Sequence, residues 1–231
     1  DVAEGDIVED GQTLAIVGHT GSGKSTIAAL TGRLYDPVNG RISIDGVDVS
    51  EHNLSELRTS IGYVPQEVFL FSDTIANNIS FGIKGIANRE QVEQAAKDAC
   101  IHENIIEFKE GYETLLGERG ITLSGGQKQR VSIARAIIKE PKILIFDDCL
   151  SAVDTETEDR ILNNLQRIMR NKTTILISHR VSTVKQANTI IVLNEGEIVE
   201  TGTHRELLEN RGRYYELYQK QLLEESNLTA S

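Results

Sequence analysis

The feature that most constrains this chain is a glycine-rich octapeptide between an apolar run and a helical pattern: Gly18-His19-Thr20-Gly21-Ser22-Gly23-Lys24-Ser25. The run at 14–17 before it is typical of a buried strand, and the pattern at 26–34 has the apolar periodicity of a helix. In this context the glycines let backbone N–H groups wrap a phosphate, and the N-terminus of the following helix adds a positive dipole. The sequence therefore predicts a phosphate-binding loop that extends to Thr26.

Four side chains supply the chemistry that this loop needs. Lys24 would neutralise β- and γ-phosphate oxygens, and the Ser25 hydroxyl would bind Mg²⁺. Asp147 ends the apolar run at 143–146, where a carboxylate can hold the Mg²⁺ through its water shell. An acid at a strand end is also commonly a helix cap, so Asp147 alone leaves both interpretations open. Asp148, one residue further, is placed to polarise an attacking water.

The apolar runs predict the fold class. The segments 14–17, 143–146 and 175–177 are continuously apolar, as in strands that helices cover on both faces, and this favours a parallel sheet. The run at 190–193 leads through Gly196 into a second apolar pair, which indicates a β hairpin. Segments 88–99 and 131–138 have helical spacing within a mostly helical stretch at 67–140. We expect an α/β core with a mostly parallel sheet, a β-hairpin region and a helical insertion.

Composition narrows the function classes. The chain has 24 Lys and Arg against 35 Asp and Glu, a net charge of −11, which disfavours nonspecific binding to nucleic acid or anionic membranes. No apolar run approaches the ~20 residues that span a bilayer. Cys100 and Cys149 lack the spacing of a zinc site, so we expect two reduced structural thiols. The sequence begins at Asp1 and not at Met, so we expect it to be part of a longer protein.

The third motif starts a helix: Leu123-Ser124-Gly125-Gly126-Gln127-Lys128-Gln129-Arg130. Ser124 is a good N-cap, and Gln127 stands where a capping box needs it, so a plain capped helix explains the pattern. Two consecutive glycines in a first turn destabilise a helix, however, and they are consistent with a backbone that approaches a phosphate closely. This motif, after a Gly-Lys-Ser loop and before the Asp147 strand, resembles the signature of ATP-binding cassette (ABC) ATPases over nearly the whole chain.

The resemblance implies a P-loop NTPase core, the cofactors ATP and Mg²⁺, and further site residues. Gln66 resembles the Q-loop glutamine that contacts Mg²⁺, His179 the switch histidine at the γ-phosphate, and Asp154 a D-loop residue between two ATPase domains. Such domains close head to tail, so Ser124, Gly125, Gly126 and Gln127 would bind the nucleotide of a second ABC ATPase domain.

Other segments resemble the exporter type. These are Gly117-Glu118-Arg119-Gly120, which resembles the loop that contacts the transmembrane domains, and two segments in 69–79. The resemblance implies a motor domain at the cytoplasmic face of the cell membrane, soluble by itself, with a transmembrane domain before Asp1. It also implies a core at about 1–66 and 141–231 and a helical subdomain at about 67–140. An importer ATPase and a soluble cassette acting on nucleic acid or ribosomes are the alternatives; we expect no nucleic-acid partner.

The residue after the Asp147 position is normally Glu in this family, and here it is Asp148. The shorter side chain retracts its carboxylate by about 1.5 Å, and a misplacement of about 1 Å can cost on the order of 10²-fold in rate. We expect a slow site on this chain, paired in a heterodimer with a chain that carries Glu. A homodimer in which Asp148 works well enough is the alternative.

Both termini lead to further expectations. Family members stack an aromatic residue on adenine upstream of the phosphate loop, but no Phe, Tyr or Trp precedes Tyr35. The segment 5–8 resembles the start of the first of two upstream strands, and 9–13 resembles the turn into the strand at 14–17. We therefore expect the segment with this strand pair to be missing between Val8 and Glu9. At the other end, leucines and Tyr214 among charges at 204–225 predict one amphipathic helix on the core, with a partner-binding helix as the alternative.

Overall fold

The computed structural model describes residues 8–83, 85, 87–117, 123–150, 153 and 155–229. It divides into two compact units: the described residues up to Glu51 together with those from Thr173 onward, and the segment His52–Lys172. The strands are β1 (Thr13–Gly18), β2 (Ser43–Ile44), β3 (Val47–Asp48), β4 (Ile61–Val64), β5 (Ile143–Asp147), β6 (Thr173–Ile177), β7 (Thr189–Asn194) and β8 (Glu197–Gly202). The helices are α1 (Lys24–Thr31), α2 (Leu54–Ser60), α3 (Ile75–Ser80), α4 (Arg89–Asp98), α5 (His102–Ile106), α6 (Gly125–Ile137), α7 (Thr155–Met169), α8 (Val181–Val184), α9 (His204–Asn210) and α10 (Arg213–Thr229).

The first unit is built around β1, which lies between two parallel neighbours. Ile16 is in register with Ile177 of β6 on one side and with Ile191 of β7 on the other. Ala15 and Ile16 have no exposed surface, as expected for an apolar run covered on both faces. The apolar runs therefore predicted these strands and their parallel pairing correctly.

The hairpin predicted after 190–193 is present. β7 and β8 pair antiparallel, with Asn194 opposite Glu197. The two residues between them, Glu195 and Gly196, both have positive φ, 51° and 85°. Two positive φ values give the turn a twist that matches that of the flanking strands, which is why a glycine is favoured there.

The second unit contains one parallel strand pair and most of the helices. Tyr63 of β4 is in register with Ile145 of β5. Helices α3 to α6 lie between these strands in sequence, so the predicted helical stretch is confirmed. The pattern at 88–99 forms α4, whose N-cap Asn88 makes a capping box with Gln91. The fold class, an α/β fold with mostly parallel strands, is confirmed.

The C-terminal segment differs from the single helix that was predicted. It forms two helices, α9 and α10, because Arg211 adopts the left-handed conformation with φ 53° and ends α9. A side chain at Gly212 would lie 1.8 Å from Glu200 Oε1. The predicted burial holds for Leu207 and Tyr214, whereas Leu222 is 40% exposed.

Within the described residues, no helix combines the length and the apolar character that crossing a bilayer requires. Cys100 and Cys149 are free thiols, and burial raises the pKa of each. Both are therefore protonated and poorly nucleophilic at neutral pH.

Substitution of Gly62 by Ala tests the packing of the second unit. A Cβ there would lie 2.8 Å from Ala136 O and 2.8 Å from Pro141 Cγ. Because one of these atoms is helix backbone, we expect Gly62→Ala to lower the free energy of unfolding by about 1–3 kcal/mol, measured by urea denaturation. Gly32→Ala is the matched control, since its Cβ would make an ordinary contact of 3.6 Å with Ala28 O. Equal stability of both variants would contradict this packing.

Candidate functional site

The glycine-rich loop begins at Gly18, the last residue of β1, where there is no room for a side chain. A Cβ on Gly18 would lie 2.3 Å from the carbonyl oxygen of Leu193 and 2.8 Å from Ser22 Oγ. The loop also contacts the β7–β8 turn, because the Gly196 N–H donates to Ser22 O at 3.2 Å. Gly18 is therefore required by close packing, and the loop that follows it is held against the sheet edge.

The loop itself has the backbone geometry predicted for a phosphate cradle. Gly21 and Gly23 have φ of 82° and 100°, which favour glycine. Gly23 is the N-cap of α1 and offers no side-chain cap, so the first N–H groups of the helix lack a side-chain acceptor from the cap residue. Ser22 Oγ is buried and has no hydrogen-bond partner among the described residues. Uncapped N–H groups at a helix start attract anions, and phosphate above all.

Lys24 is folded back along this loop. Its ammonium donates to Gly18 O at 2.9 Å and to His19 O at 2.8 Å. Its positive charge is thereby fixed over the same turn whose N–H groups would bind phosphate. Ser25 and Thr26, the next two residues, are exposed at the first turn of α1.

His179 lies at the same sheet edge as the loop. It comes two residues after Ile177, which is in register with Ile16 of β1, and Ser178 N–H donates to Ile16 O at 3.2 Å. Two residues beyond Ile16 is Gly18, so His179 and the start of the loop stand level on neighbouring parallel strands. The His179 side chain is exposed at this edge.

The second unit brings the predicted acidic residues to the ends of its own strand pair. Asp147 is the last residue of β5 and is 3% exposed. The Tyr63 hydroxyl donates to Asp147 Oδ2 at 3.2 Å. Burial and then the Asp147 charge raise the pKa of Tyr63, so the phenol remains a proton donor at neutral pH. This contact was not predicted from the sequence.

Gln66 and Asp148 face each other for a reason of register. Tyr63 is paired with Ile145, so Gln66 and Asp148 each follow by three residues on adjacent parallel strands. Gln66 Nε2 donates to Asp148 Oδ2 at 3.4 Å. Asp148 has φ 46°, in the left-handed region that Asp tolerates better than longer side chains.

The signature segment forms the predicted capped helix. The Gln127 N–H donates to Ser124 Oγ at 3.3 Å, and the Ser124 N–H donates to Gln127 Oε1 at 2.9 Å. Gly125 and Gly126 form the first turn of α6, with Gly125 and the Ser124 cap exposed. The capping box therefore accounts for Ser124 and Gln127, while the exposed Gly125 leaves the helix start open to a ligand.

The Arg135 side chain of α6 forms hydrogen bonds with the segment at 69–81. Arg135 donates to Phe69 O, Asn78 O and Asn78 Oδ1, each at 2.8 Å. Its guanidinium also lies over the Phe71 and Phe81 rings at 5.5 and 5.8 Å. Burial lowers the pKa of Arg135 to about 10, so the group is still charged at pH 7. Sequence patterns gave no indication of this cluster, because its members are up to 66 residues apart.

The predicted magnesium ligands have suitable chemistry. Ser25 offers a hydroxyl oxygen, Asp147 a carboxylate and Gln66 an amide oxygen, and Mg²⁺ prefers oxygen ligands. Other predicted residues fall outside the described part of the chain: Asp154 in the D-loop, and Glu118, Arg119 and Gly120 in the exporter loop.

Comparison with known proteins identifies the family. The pattern of the family described as ABC transporter matches residues 7–151. The chain belongs to the ABC transporter family. The resemblance drawn from the loop and the signature is thereby confirmed.

Two of the following three relatives are named as a flippase or an exporter. The chain is 47% identical over 214 residues to the ATP-dependent lipid A-core flippase of Alkalilimnicola ehrlichii, covering 93% of this chain and 36% of that protein. It is 51% identical over 214 residues to ATP-binding cassette sub-family B member 6 of Xenopus tropicalis, covering 93% and 25%. It is 47% identical over 222 residues to the ATM1-type heavy metal exporter of Novosphingobium aromaticivorans, covering 96% and 36%. The chain thus spans between 25% and 36% of the length of these relatives.

A solved structure has the same fold. It is that of a bacterial Atm1-family ABC exporter with ATP bound, which matches with a TM-score of 0.89 and 48% identity. The match covers 92% of this chain and 37% of the exporter chain.

The Tyr63–Asp147 contact can be measured by a double-mutant cycle. Tyr63→Phe keeps the ring and removes the donor, and Asp147→Asn removes the charge. Because a hydrogen bond to a charged group contributes about 1.5–3 kcal/mol, we expect a coupling free energy of about 1–2 kcal/mol between the two substitutions in urea unfolding. The exposed Tyr35 serves as control: Tyr35→Phe with Asp147→Asn should show no coupling. A coupling near zero for Tyr63 would contradict the contact.

Proposed function

We propose that this chain is the ATP-binding and ATP-hydrolysing motor domain of an ABC exporter. The observation that supports this most directly is the Gly18–Ser25 loop, in which Lys24 donates to the Gly18 and His19 carbonyls and α1 begins without a side-chain cap, with His179 level with the loop at the sheet edge. The names of the relatives support the exporter type.

The residues take the following roles in the proposal. Gly18, His19, Thr20, Gly21, Ser22, Gly23, Lys24, Ser25 and Thr26 bind the phosphates of ATP. Ser25, Gln66 and Asp147 hold Mg²⁺, which supplies positive charge against the phosphate oxygens when bound. His179 contacts the γ-phosphate, and Asp148 orients and polarises the attacking water.

The signature residues at the start of α6 act on the nucleotide of a second ATPase domain. Ser124, Gly125, Gly126 and Gln127 bind the nucleotide of a second ABC ATPase domain in a head-to-tail dimer, with Asp154 at the contact. The exposed Gly125 at the start of α6 supports this role, because N–H groups there can approach a phosphate. We favour a heterodimer, in which the partner chain carries Glu after its own strand-end Asp.

We also propose where the domain works and how it is organised. A transmembrane domain precedes it in the same chain, and the domain works at the cytoplasmic face of the membrane. The relatives are about three to four times as long as this chain, which supports a further domain. Within the chain, we propose a nucleotide-binding core at about 1–66 and 141–231 and a helical subdomain at about 67–140.

Binding of Mg-ATP tests the proposed site directly. Lys24→Ala removes a charged donor from the phosphate loop, so we expect the Kd to rise about 10- to 100-fold, measured by isothermal titration calorimetry. Lys109→Ala is the matched control, because the Lys109 side chain is 94% exposed and should leave the Kd unchanged. A Kd within twofold of the wild type for Lys24→Ala would contradict the proposed site.

Replacement of Asp148 tests the slow-site hypothesis. Asp148→Glu extends the carboxylate by about 1.5 Å, and we expect steady-state ATP turnover to rise about 10- to 100-fold. The same variant should be less stable by up to about 1 kcal/mol, because Glu tolerates positive φ less well than Asp. Asp148→Asn, which keeps the size but removes the charge, should show no gain. If Asp148→Glu shows no gain in turnover either, the hypothesis is wrong.

A further inference from the structure

We infer that Gln221 of the C-terminal helix α10 is a positioning residue for His179. This inference rests on the proposed contact of His179 with the γ-phosphate. The Gln221 side chain forms hydrogen bonds with the backbone of His179 and of Val181, the residues on either side of Arg180. Its Oε1 accepts from the Val181 N–H at 2.7 Å, and its Nε2 donates to the carbonyl oxygen of His179.

The Gln221 side chain supplies a hydrogen-bond acceptor that the start of helix α8, next to His179, lacks in its own N-cap residue. Helix α8 begins at Val181, and its N-cap is Arg180, which makes no side-chain cap hydrogen bond. A guanidinium has no acceptor, so Arg180 cannot satisfy the first N–H groups of the helix as Ser or Asp would. Gln221 satisfies the first of these N–H groups from 40 residues away. A four-residue helix is too short to be stable by itself, so the segment after β6 is held by the buried side chains of Val181 and Val184 and by this contact with Gln221.

Two hydrogen bonds from one planar amide restrain more than either bond alone. The His179 carbonyl and the Val181 N–H lie on either side of Arg180, and both are fixed to the same rigid group. Ser178 Oγ adds a local restraint by accepting from the Arg180 N–H at 3.0 Å. The backbone that carries the His179 ring is therefore held from both directions, while the ring itself remains exposed at the sheet edge.

Helix α10, which carries Gln221, is held in place by contacts of Tyr214 with β8 and α9. Tyr214, in its first turn, is fully buried. The Tyr214 N–H donates to Glu200 Oε2 of β8 at 2.8 Å, and its hydroxyl lies 2.8 Å from His204 Nδ1 of α9. The path from β8 through α10 to the His179 carbonyl is thus continuous within the first unit. Movement of α10 would displace His179, so this helix can influence the γ-phosphate contact without touching the nucleotide.

The experiment uses three variants of the 231-residue chain. Gln221→Leu removes both hydrogen bonds at similar volume. Gln221→Glu keeps an acceptor for the Val181 N–H but cannot donate to the His179 carbonyl. Gln219→Leu, the control, makes the same change two residues away on the same helix.

The first readout is amide hydrogen exchange of Val181, followed by NMR together with the ring signal of His179. In Gln221→Leu we expect Val181 to exchange about five- to tenfold faster, as the loss of one net hydrogen bond predicts, and the His179 ring signal to shift. Gln221→Glu should protect Val181 and still shift His179, and Gln219→Leu should change neither. Unchanged Val181 exchange and an unchanged His179 signal in Gln221→Leu would overturn the inference.

The second readout is ATP turnover in the wild-type and His179→Ala backgrounds. In the wild type, Gln221→Leu should lower kcat about tenfold and leave KM within about twofold, because the phosphate loop is intact. In His179→Ala it should cause no further loss, since Gln221 acts through His179. An equal additional loss in that background would overturn the inference. Absence of ATP binding in the wild type would instead contradict the proposed function, and the exchange data would still decide whether Gln221 holds the His179 backbone.

Discussion

The close approach of Gly18 to the Leu193 carbonyl is the constraint on which the proposed nucleotide site depends. It places the end of β1 directly against β7, in a space that no side chain can share. The chain must then turn away from the sheet through residues of positive φ before α1 begins. The same turn brings Lys24 back over the backbone carbonyls of the loop. A phosphate-binding geometry therefore follows from strand packing, and the lysine adds charge to a shape that already exists.

Parallel strand pairing also sets the positions of the other proposed site residues within each unit. Because the carboxyl ends of parallel strands meet at one edge, register alone sets His179 level with Gly18 in the first unit. In the second unit it sets Gln66 level with Asp148. Side chains then complete each arrangement: the Tyr63 hydroxyl orients Asp147, and Gln221 holds the segment after His179. The residues expected to do chemistry sit at strand ends, and those that position them come from more distant parts of the chain.

Local patterns predicted the strands, the hairpin and the capped signature helix, because each is determined by residues close together in sequence. The continuous apolar runs at 14–17 and 143–146 needed no tertiary information. Contacts over long sequence distances were not predictable: Tyr63 with Asp147, Arg135 with Phe69, and Gln221 with His179 are separated by 84, 66 and 42 residues. The single C-terminal helix was wrong for a similar reason. Its break depends on Arg211 in a left-handed conformation and on Gly212 packing against Glu200 of β8.

A structure of this chain with Mg²⁺ and a non-hydrolysable ATP analogue would test the central claim most directly. The account predicts β- and γ-phosphate oxygens at about 2.7–3.2 Å from the loop N–H groups and from Lys24. We also expect the signature serine of a second ATPase domain to lie against the same γ-phosphate. A triphosphate bound away from the Gly18–Ser25 loop would contradict the proposed site. A nucleotide in the loop with no signature helix near it, in a saturated dimer, would contradict the head-to-tail arrangement.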